Sequence, residues 1–203
     1  LHFLERSAYI YPEKTAVIYG EQSYTYAAFK DRVLRMATAL KQRGIGKDDK
    51  VAFLCPNTPP TLEAHYGVPL LSAVLVTINI RLSPREIAYI IQDSGSKILF
   101  VDTGFAASIQ PVLDEIKGVE IVNICDVEEK AFDGPDYEEF LDVTPQRFHF
   151  GVDDELQPIT INYTSGTTGW PKGVIYSHRG AYLNALGEII EYHIHHRSKY
   201  VWT

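Results

Sequence analysis

The sequence predicts an α/β fold: a layered, mostly parallel sheet flanked by helices. Two observations carry the prediction. Short apolar runs rich in β-branched residues alternate along the chain with stretches of helical periodicity. Strands alternating with helices bury both faces of a parallel sheet, because each helical crossover lays one apolar stripe on it. The composition agrees: 203 residues, 45% hydrophobic and 22% charged, suit one domain or one and a half with a sizeable core.

The elements follow in order. Thr15 to Tyr19 and Gln22 to Tyr26 are β-type runs around Gly20-Glu21 and predict a hairpin. Thr25 then caps a helix from about Ala27 to Arg43, with Phe29, Val33, Met36 and Leu40 on one face and Gly44 at its end. Lys50 to Cys55 predicts a strand, and Thr58-Pro59 a helix start, since Pro in the first turn lacks only an N–H that would be unpaired anyway. Pro69 ends that helix, and Val74 to Ile78 is the next strand. Ser83-Pro84-Arg85-Glu86 is a capping box opening a helix that carries Ile87, Ile90 and Ile91 and stops at Gly95. Ile98 to Val101 is a strand, Phe105 to Ile116 a helix interrupted early by Pro111, and Val119 to Ile124 a strand. From Asp126 to Asp154 acids cluster around Gly134-Pro135, which predicts a solvated linking region with one short helix. Ile159 to Tyr163 is a strand leading into a glycine-rich segment; Gly173 to Tyr176 is a second strand, and Ser177 caps a helix to about Tyr192.

Charge and composition exclude several classes. A net charge of −7 and a pI near 5.5 argue against nucleic acid as a partner, because that binding rests on a basic patch neutralising phosphates. A nucleotide stays open, since one loop of backbone N–H groups binds phosphate locally. Cys55 and Cys125 lie far apart with no C-x-x-C spacing, so they read as small buried hydrophobes near strand ends. Two free thiols suit a reducing compartment, and the cytoplasm is the expectation. No apolar run reaches membrane-spanning length, because Val68 to Ile80 is short and holds Pro69, Ser72, Thr77 and Asn79. The first residues lack the long apolar core of a signal peptide, and the first is not Met, so a piece cut from a longer chain is expected.

The chemistry concentrates in Tyr163-Thr164-Ser165-Gly166-Thr167-Thr168-Gly169-Trp170-Pro171-Lys172-Gly173. Gly166, Gly169 and Gly173 let backbone approach a ligand closely. Thr164, Ser165, Thr167 and Thr168 bring four hydroxyl donors, and Lys172 a positive charge. Pro171 removes one N–H and stiffens the approach to that lysine. The sum is a donor-rich, singly cationic surface suited to a polyphosphate. An ordinary hairpin turn needs one or two glycines and no lysine. The segment is not a Walker A loop, because Pro171 stands where the second glycine would fall and Gly173 follows Lys172. G-x-G-x-x-G is absent as well.

Tyr163 to Gly173 resembles the signature phosphate loop of the adenylate-forming superfamily, which holds acyl-CoA synthetases, firefly-type luciferases and peptide-synthetase adenylation domains. The likeness continues through Val174 to Gly180 and reaches back over Phe3 to Arg6, Tyr11-Pro12, Tyr24 to Tyr26, Val51 to Asn57 and Gly67 to Ser83. Asn79-Ile80-Arg81-Leu82-Ser83-Pro84 is similar to fatty-acyl and related CoA ligases, where peptide-synthetase domains tend to carry Asp-Pro and Tyr-Pro. The resemblance implies an incomplete N-terminal part of the AMP-binding (adenylation) domain over 1–203, with the rest of that domain and a small C-terminal domain absent. It implies ATP-dependent activation of a carboxylic acid, fatty acids first, to an acyl-adenylate, then thioester formation with CoA, Mg²⁺ assisting. Thr164, Ser165, Gly166, Thr167, Thr168, Gly169 and Lys172 would bind the nucleotide, Lys172 would be catalytic and Thr164 would touch the metal. Such donors are worth on the order of 3 kcal/mol each. Homodimers are common among such enzymes. A carrier-protein thiol as acceptor, or a truncated non-catalytic nucleotide-binding fragment, are the alternatives; the fragment alone is expected to be inactive.

Other features read more plainly. His193, His195 and His196 suit a helix end better than a metal site. His178 reads as a capping or packing residue, Arg81 as paired with a nearby carboxylate, and Trp170 as an exposed ring.

Overall fold

The computed structural model describes residues 1–126, 129–164 and 169–202. Six strands form the main sheet: β3 (Lys50–Leu54), β4 (Val74–Thr77), β5 (Ser96–Asp102), β6 (Glu120–Ile124), β7 (Pro158–Thr164) and β8 (Lys172–Ser177), in spatial order β6-β5-β3-β4-β7-β8. Five of them run parallel; only β8, at the edge, is antiparallel to its neighbour β7. The mostly parallel α/β expectation is met.

Alternation along the strands builds two cores. In β3, Val51 and Phe53 face one side and Ala52 and Leu54 the other, all buried. The first side meets α2 (Tyr26–Gln42), α3 (Pro59–Gly67) and α6 (Tyr137–Leu141), through Met36 and Leu40, Ala64, and Phe140. Phe53 and Phe100 stack at 4.4 Å, and Phe140 meets Phe100 edge-on at 5.0 Å. The second side is covered by α4 (Pro84–Ser94), whose Ile87, Ile90 and Ile91 follow helical spacing, and by Ile109, Val112 and Ile116.

Caps fall where the sequence places them. The Thr25 side chain accepts from the Ala28 N–H at 3.1 Å, the capping box at Ser83 and Glu86 closes both ways, and Ser177 Oγ accepts from the Gly180 N–H. The helix α7 (His178–Glu191) that Ser177 opens buries none of its residues.

Three expectations need correction, and one helix is additional to them. The helix from Phe105 to Ile116, expected to be interrupted early by Pro111, breaks up further into short pieces: 3₁₀ turns at Thr103–Phe105 and Gln110–Val112 around α5 (Ala106–Ile109). Pro111 has no N–H to donate and its ring crowds the preceding turn. A helix α1 (His2–Ile10) was not foreseen; it buries only Leu4 and Ala8, which is too few positions to give a periodic signal. Cys55 is buried as expected, but Cys125 is exposed. The acid-rich region is less solvated than its composition suggests. Asn123 is buried and its amide organises the segment: Nδ2 donates to the carbonyls of Phe132 and Pro135, and Oδ1 accepts from the N–H groups of Ala131 and Phe132. Its short helix α6 then docks Tyr137, Phe140 and Leu141 into the core. The hairpin of β1 (Thr15–Tyr19) and β2 (Gln22–Thr25) stands apart from the main sheet.

Candidate functional site

The order of the sheet selects one end of it. The chain leaves β3 through α3 on the first side and leaves β4 through α4 on the second. Adjacent parallel strands whose crossovers part to opposite faces leave a crevice at their carboxyl ends, where open α/β sheets bind ligands. A cavity of about 500 Å³ lies there. It is lined from the end of β3 by Cys55 and Asn57, from β4 by Thr77 and Asn79, from α3 by His65 and from β7 by Asn162. None of its lining side chains carries a formal charge. The Thr77 hydroxyl donates to Asn162 Oδ1 at 2.8 Å, fixing the amide at the mouth of β7. Burial lowers the pKa of His65, which favours its neutral ring, and pushes the Cys55 thiol up to about 11.

The described ends of the glycine-rich segment lie at this same edge, where β7 stops and β8 begins. Thr164 ends β7 and pairs in register with Lys172, which starts β8; both are exposed. Ser165, Gly166, Thr167 and Thr168 lie outside the described residues. Gly169 has a φ of +142°, which an L side chain rarely adopts. Gly173 is required for a different reason: a Cβ there would sit 2.8 Å from Ile161 Cγ2 and 3.3 Å from the Tyr163 ring. The Lys172 ammonium makes no ion pair among the described residues, so its charge is available to a ligand.

Trp170 is 45% exposed, as expected in part, but its ring is stacked on Tyr89 of α4 at 4.9 Å, with the Arg85 guanidinium 4.9 Å from its centroid. The Tyr163 hydroxyl donates to Asp93 Oδ2, also on α4, at 2.6 Å, and burial with that bond raises its pKa. These contacts, and the amides Asn57, Asn79 and Asn162, escaped the sequence reading. Their signal there is only a polar residue at the end of an apolar strand.

The remaining candidates fall elsewhere. His178 follows β8 at the sheet's opposite end, beside a separate cavity with Lys47, His149 and Asp154. Burial lowers its pKa. Arg81 has no carboxylate partner among the described residues, against expectation; its backbone N–H donates to Asn79 Oδ1. No group of three His, Cys, Asp or Glu among the described residues could hold a metal, and His195 Nδ1 instead accepts from the Arg197 N–H. No helix among them is long and apolar enough to cross a membrane.

Comparison with known proteins places this arrangement. A family model described as AMP-binding enzyme matches residues 4–203. The chain is 42% identical to a 4-hydroxybutyrate–CoA ligase of Metallosphaera sedula over 100% of its length and 38% of the relative's. It is 40% identical to a peroxisomal butyrate–CoA ligase of Arabidopsis thaliana over 99% of its length, again 38% of the relative's. Among solved structures, an anthranilate CoA ligase in complex with anthranoyl-AMP superposes with a TM-score of 0.84 at 26% identity, covering 90% of this chain and 35% of that one. The chain thus spans about 38% of the length of the curated relatives it matches. With its mostly parallel sheet and its switch-point crevice, the chain belongs to the AMP-binding enzyme family.

Proposed function

We propose that the protein of which this chain is the N-terminal part activates a carboxylic acid with ATP and then forms its CoA thioester. The observation that carries this reading is the β7–β8 hairpin, which sets Thr164 and Lys172 opposite each other at the crevice edge with the lysine charge unpaired among the described residues. In the first step a carboxylate oxygen attacks the α-phosphorus of ATP. The bond from that phosphorus to the oxygen bridging it to the β-phosphate breaks, and pyrophosphate leaves with the electron pair. The CoA sulfur then attacks the acyl carbonyl carbon and AMP departs. The hydroxyls of Thr164, Ser165, Thr167 and Thr168 and the backbone of Gly166 and Gly169 hold the β- and γ-phosphates. Lys172 offsets the charge that builds on the leaving pyrophosphate.

When bound, Mg²⁺ neutralises phosphate charge. Thr164 offers it one hydroxyl. Mg²⁺ takes few protein ligands and draws the rest from phosphates and water, so the donor set fits a metal that arrives with the nucleotide. The acid in this reading is a small fatty acid, supported by two relatives named for butyrate and 4-hydroxybutyrate. Two unpaired cysteines support a reducing compartment, the cytoplasm in this proposal, and a homodimer is the proposed assembly.

In the intact protein, Lys172→Ala slows pyrophosphate–ATP exchange by on the order of 10²-fold while leaving the KM for the acid unchanged. Exchange at the wild-type rate would overturn the assignment. A panel of acids in the same assay tests the substrate: turnover is highest with butyrate-sized acids, and a preference for long chains or amino acids removes that part of the reading.

A further inference from the structure

We propose that the outer face of α4 is a positioning platform for the glycine-rich loop, with Arg85, Tyr89 and Asp93 holding the two strand ends that carry Thr164 and Lys172. The proposal rests on the reading of that loop as a phosphate holder. The three residues are spaced four apart, so they form one stripe along the helix. Asp93 takes the hydrogen bond from Tyr163, the residue before Thr164, at 2.6 Å. Tyr89 stacks under Trp170, two residues before Lys172, at 4.9 Å with 25° between the rings. Arg85 lies against the Trp170 ring from its guanidinium at 4.9 Å, and has no carboxylate partner among the described residues. The Tyr89 hydroxyl also reaches Asp93 Oδ1, at 3.4 Å, linking the two anchors. Both ends of the loop are therefore tied to one rigid element.

The rigidity of α4 has its own causes. Its N-terminus is locked by the Ser83–Glu86 capping box, its end by Gly95, and its inner face by buried Ile87, Ile90 and Ile91. Among the described residues the hairpin lacks such support on its far side, because β8 is the edge strand and pairs there only with β7. Fixing Tyr163 and Trp170 on one helix holds Thr164 and Lys172 in place before a polyphosphate arrives, so less conformational freedom is lost on binding, and tighter nucleotide binding follows. Lys172 and the hydroxyls do the binding; Arg85, Tyr89 and Asp93 act through them.

The test uses the intact protein with Tyr89→Leu, which keeps apolar volume but loses the ring, Tyr89→Phe, which keeps the ring, and Asp93→Ala as an independent break. Steady-state pyrophosphate–ATP exchange gives KM for ATP and for the acid; hydrogen–deuterium exchange by mass spectrometry follows the segment 169–173. Tyr89→Leu and Asp93→Ala each raise the ATP KM by about ten-fold, leave the acid KM unchanged and speed deuterium uptake in 169–173, and Tyr89→Phe restores both readouts. Wild-type uptake in Tyr89→Leu, equal shifts in both KM values, or no rescue by Tyr89→Phe overturns the platform. Should the wild-type protein show no ATP exchange with any acid, the phosphate-holding reading fails, and the deuterium uptake still decides whether α4 holds the loop.

Discussion

Glu63 lies on α3 with its side chain fully buried, facing Arg32 of α2 at 2.6 Å from Nε to carboxylate. Tyr137 of α6 donates its hydroxyl to the same carboxylate, and Arg32 turns its fork to Glu138 at 2.9 and 2.7 Å. Burial raises the carboxyl pKa of Glu63 against the pull of Arg32 and Tyr137. Burial also works against the Arg32 charge, but the bonds to Glu138 and Glu63 outweigh it and leave its pKa raised. Removing one partner of such a cluster strands the others in low dielectric. Glu63→Ala therefore costs about 3 kcal/mol of unfolding free energy, read as a lower urea midpoint; an unmoved midpoint would show the cluster to be inert. His65 gives a pH dependence. Its pKa is lowered in the fold, so the unfolded chain binds the proton more tightly. Its contribution to stability is full above the ordinary imidazole value of 6.5 and is lost as pH falls through the lowered one. Thermal melts from pH 8 to 5 should show a fall that His65→Gln makes shallower. Parallel curves would exclude His65 as the cause.

At the scale of elements, most of the strands and long helices were legible because each carried its own local signal. The run Phe29, Val33, Met36, Leu40 is buried along one face of α2, and the Ser83 capping box opens α4. The interruption at Pro111 was legible, but the apolar spacing on to Ile116 suggested a helix that does not resume after it. The hairpin β7–β8 depends on one close approach. Gly173→Ala on the edge strand β8 places a methyl 2.8 Å from Ile161 Cγ2 of β7, which β4 backs on its other side. We expect a loss of about 2 kcal/mol by calorimetry and slowed pyrophosphate exchange in the intact protein. Ile161→Ala, which removes the contacting methyl, should recover part of both in the double variant. Full stability in the single variant would show that the hairpin relaxes freely.

At the scale of the molecule, the chain opens one crevice at the carboxyl ends of its parallel strands. Among the described residues, the crevice edge carries Thr164 and Lys172 beside a cavity without formally charged lining, and no group of three His, Cys, Asp or Glu that could hold a metal. It spans 38% of the relatives it matches in sequence. The 203-residue chain on its own should thus form no acyl-adenylate, assayed with ATP, Mg²⁺ and butyrate under conditions where the intact protein turns over. Formation of acyl-AMP by the chain alone would place the whole adenylation site within it.

The sequence by itself determined the α/β class and most element positions, and it alone supplies the glycines, hydroxyls and lysine of residues 163–173 on which the proposed phosphate-binding role rests, because these are matters of local chemistry: side-chain period, caps and residue type. Only the tertiary structure decided the strand order β6-β5-β3-β4-β7-β8, and with it the crevice between β3 and β4. The same holds for the anchoring of Tyr163 and Trp170 on α4, and for the pairing of Glu63 with Arg32, 31 residues away. Such pairings depend on which faces meet after the crossovers are made, and no property of Asp93, Tyr89 or Glu63 in its own neighbourhood reports that. The physical division is between information carried within a turn or strand and information created by bringing distant surfaces together.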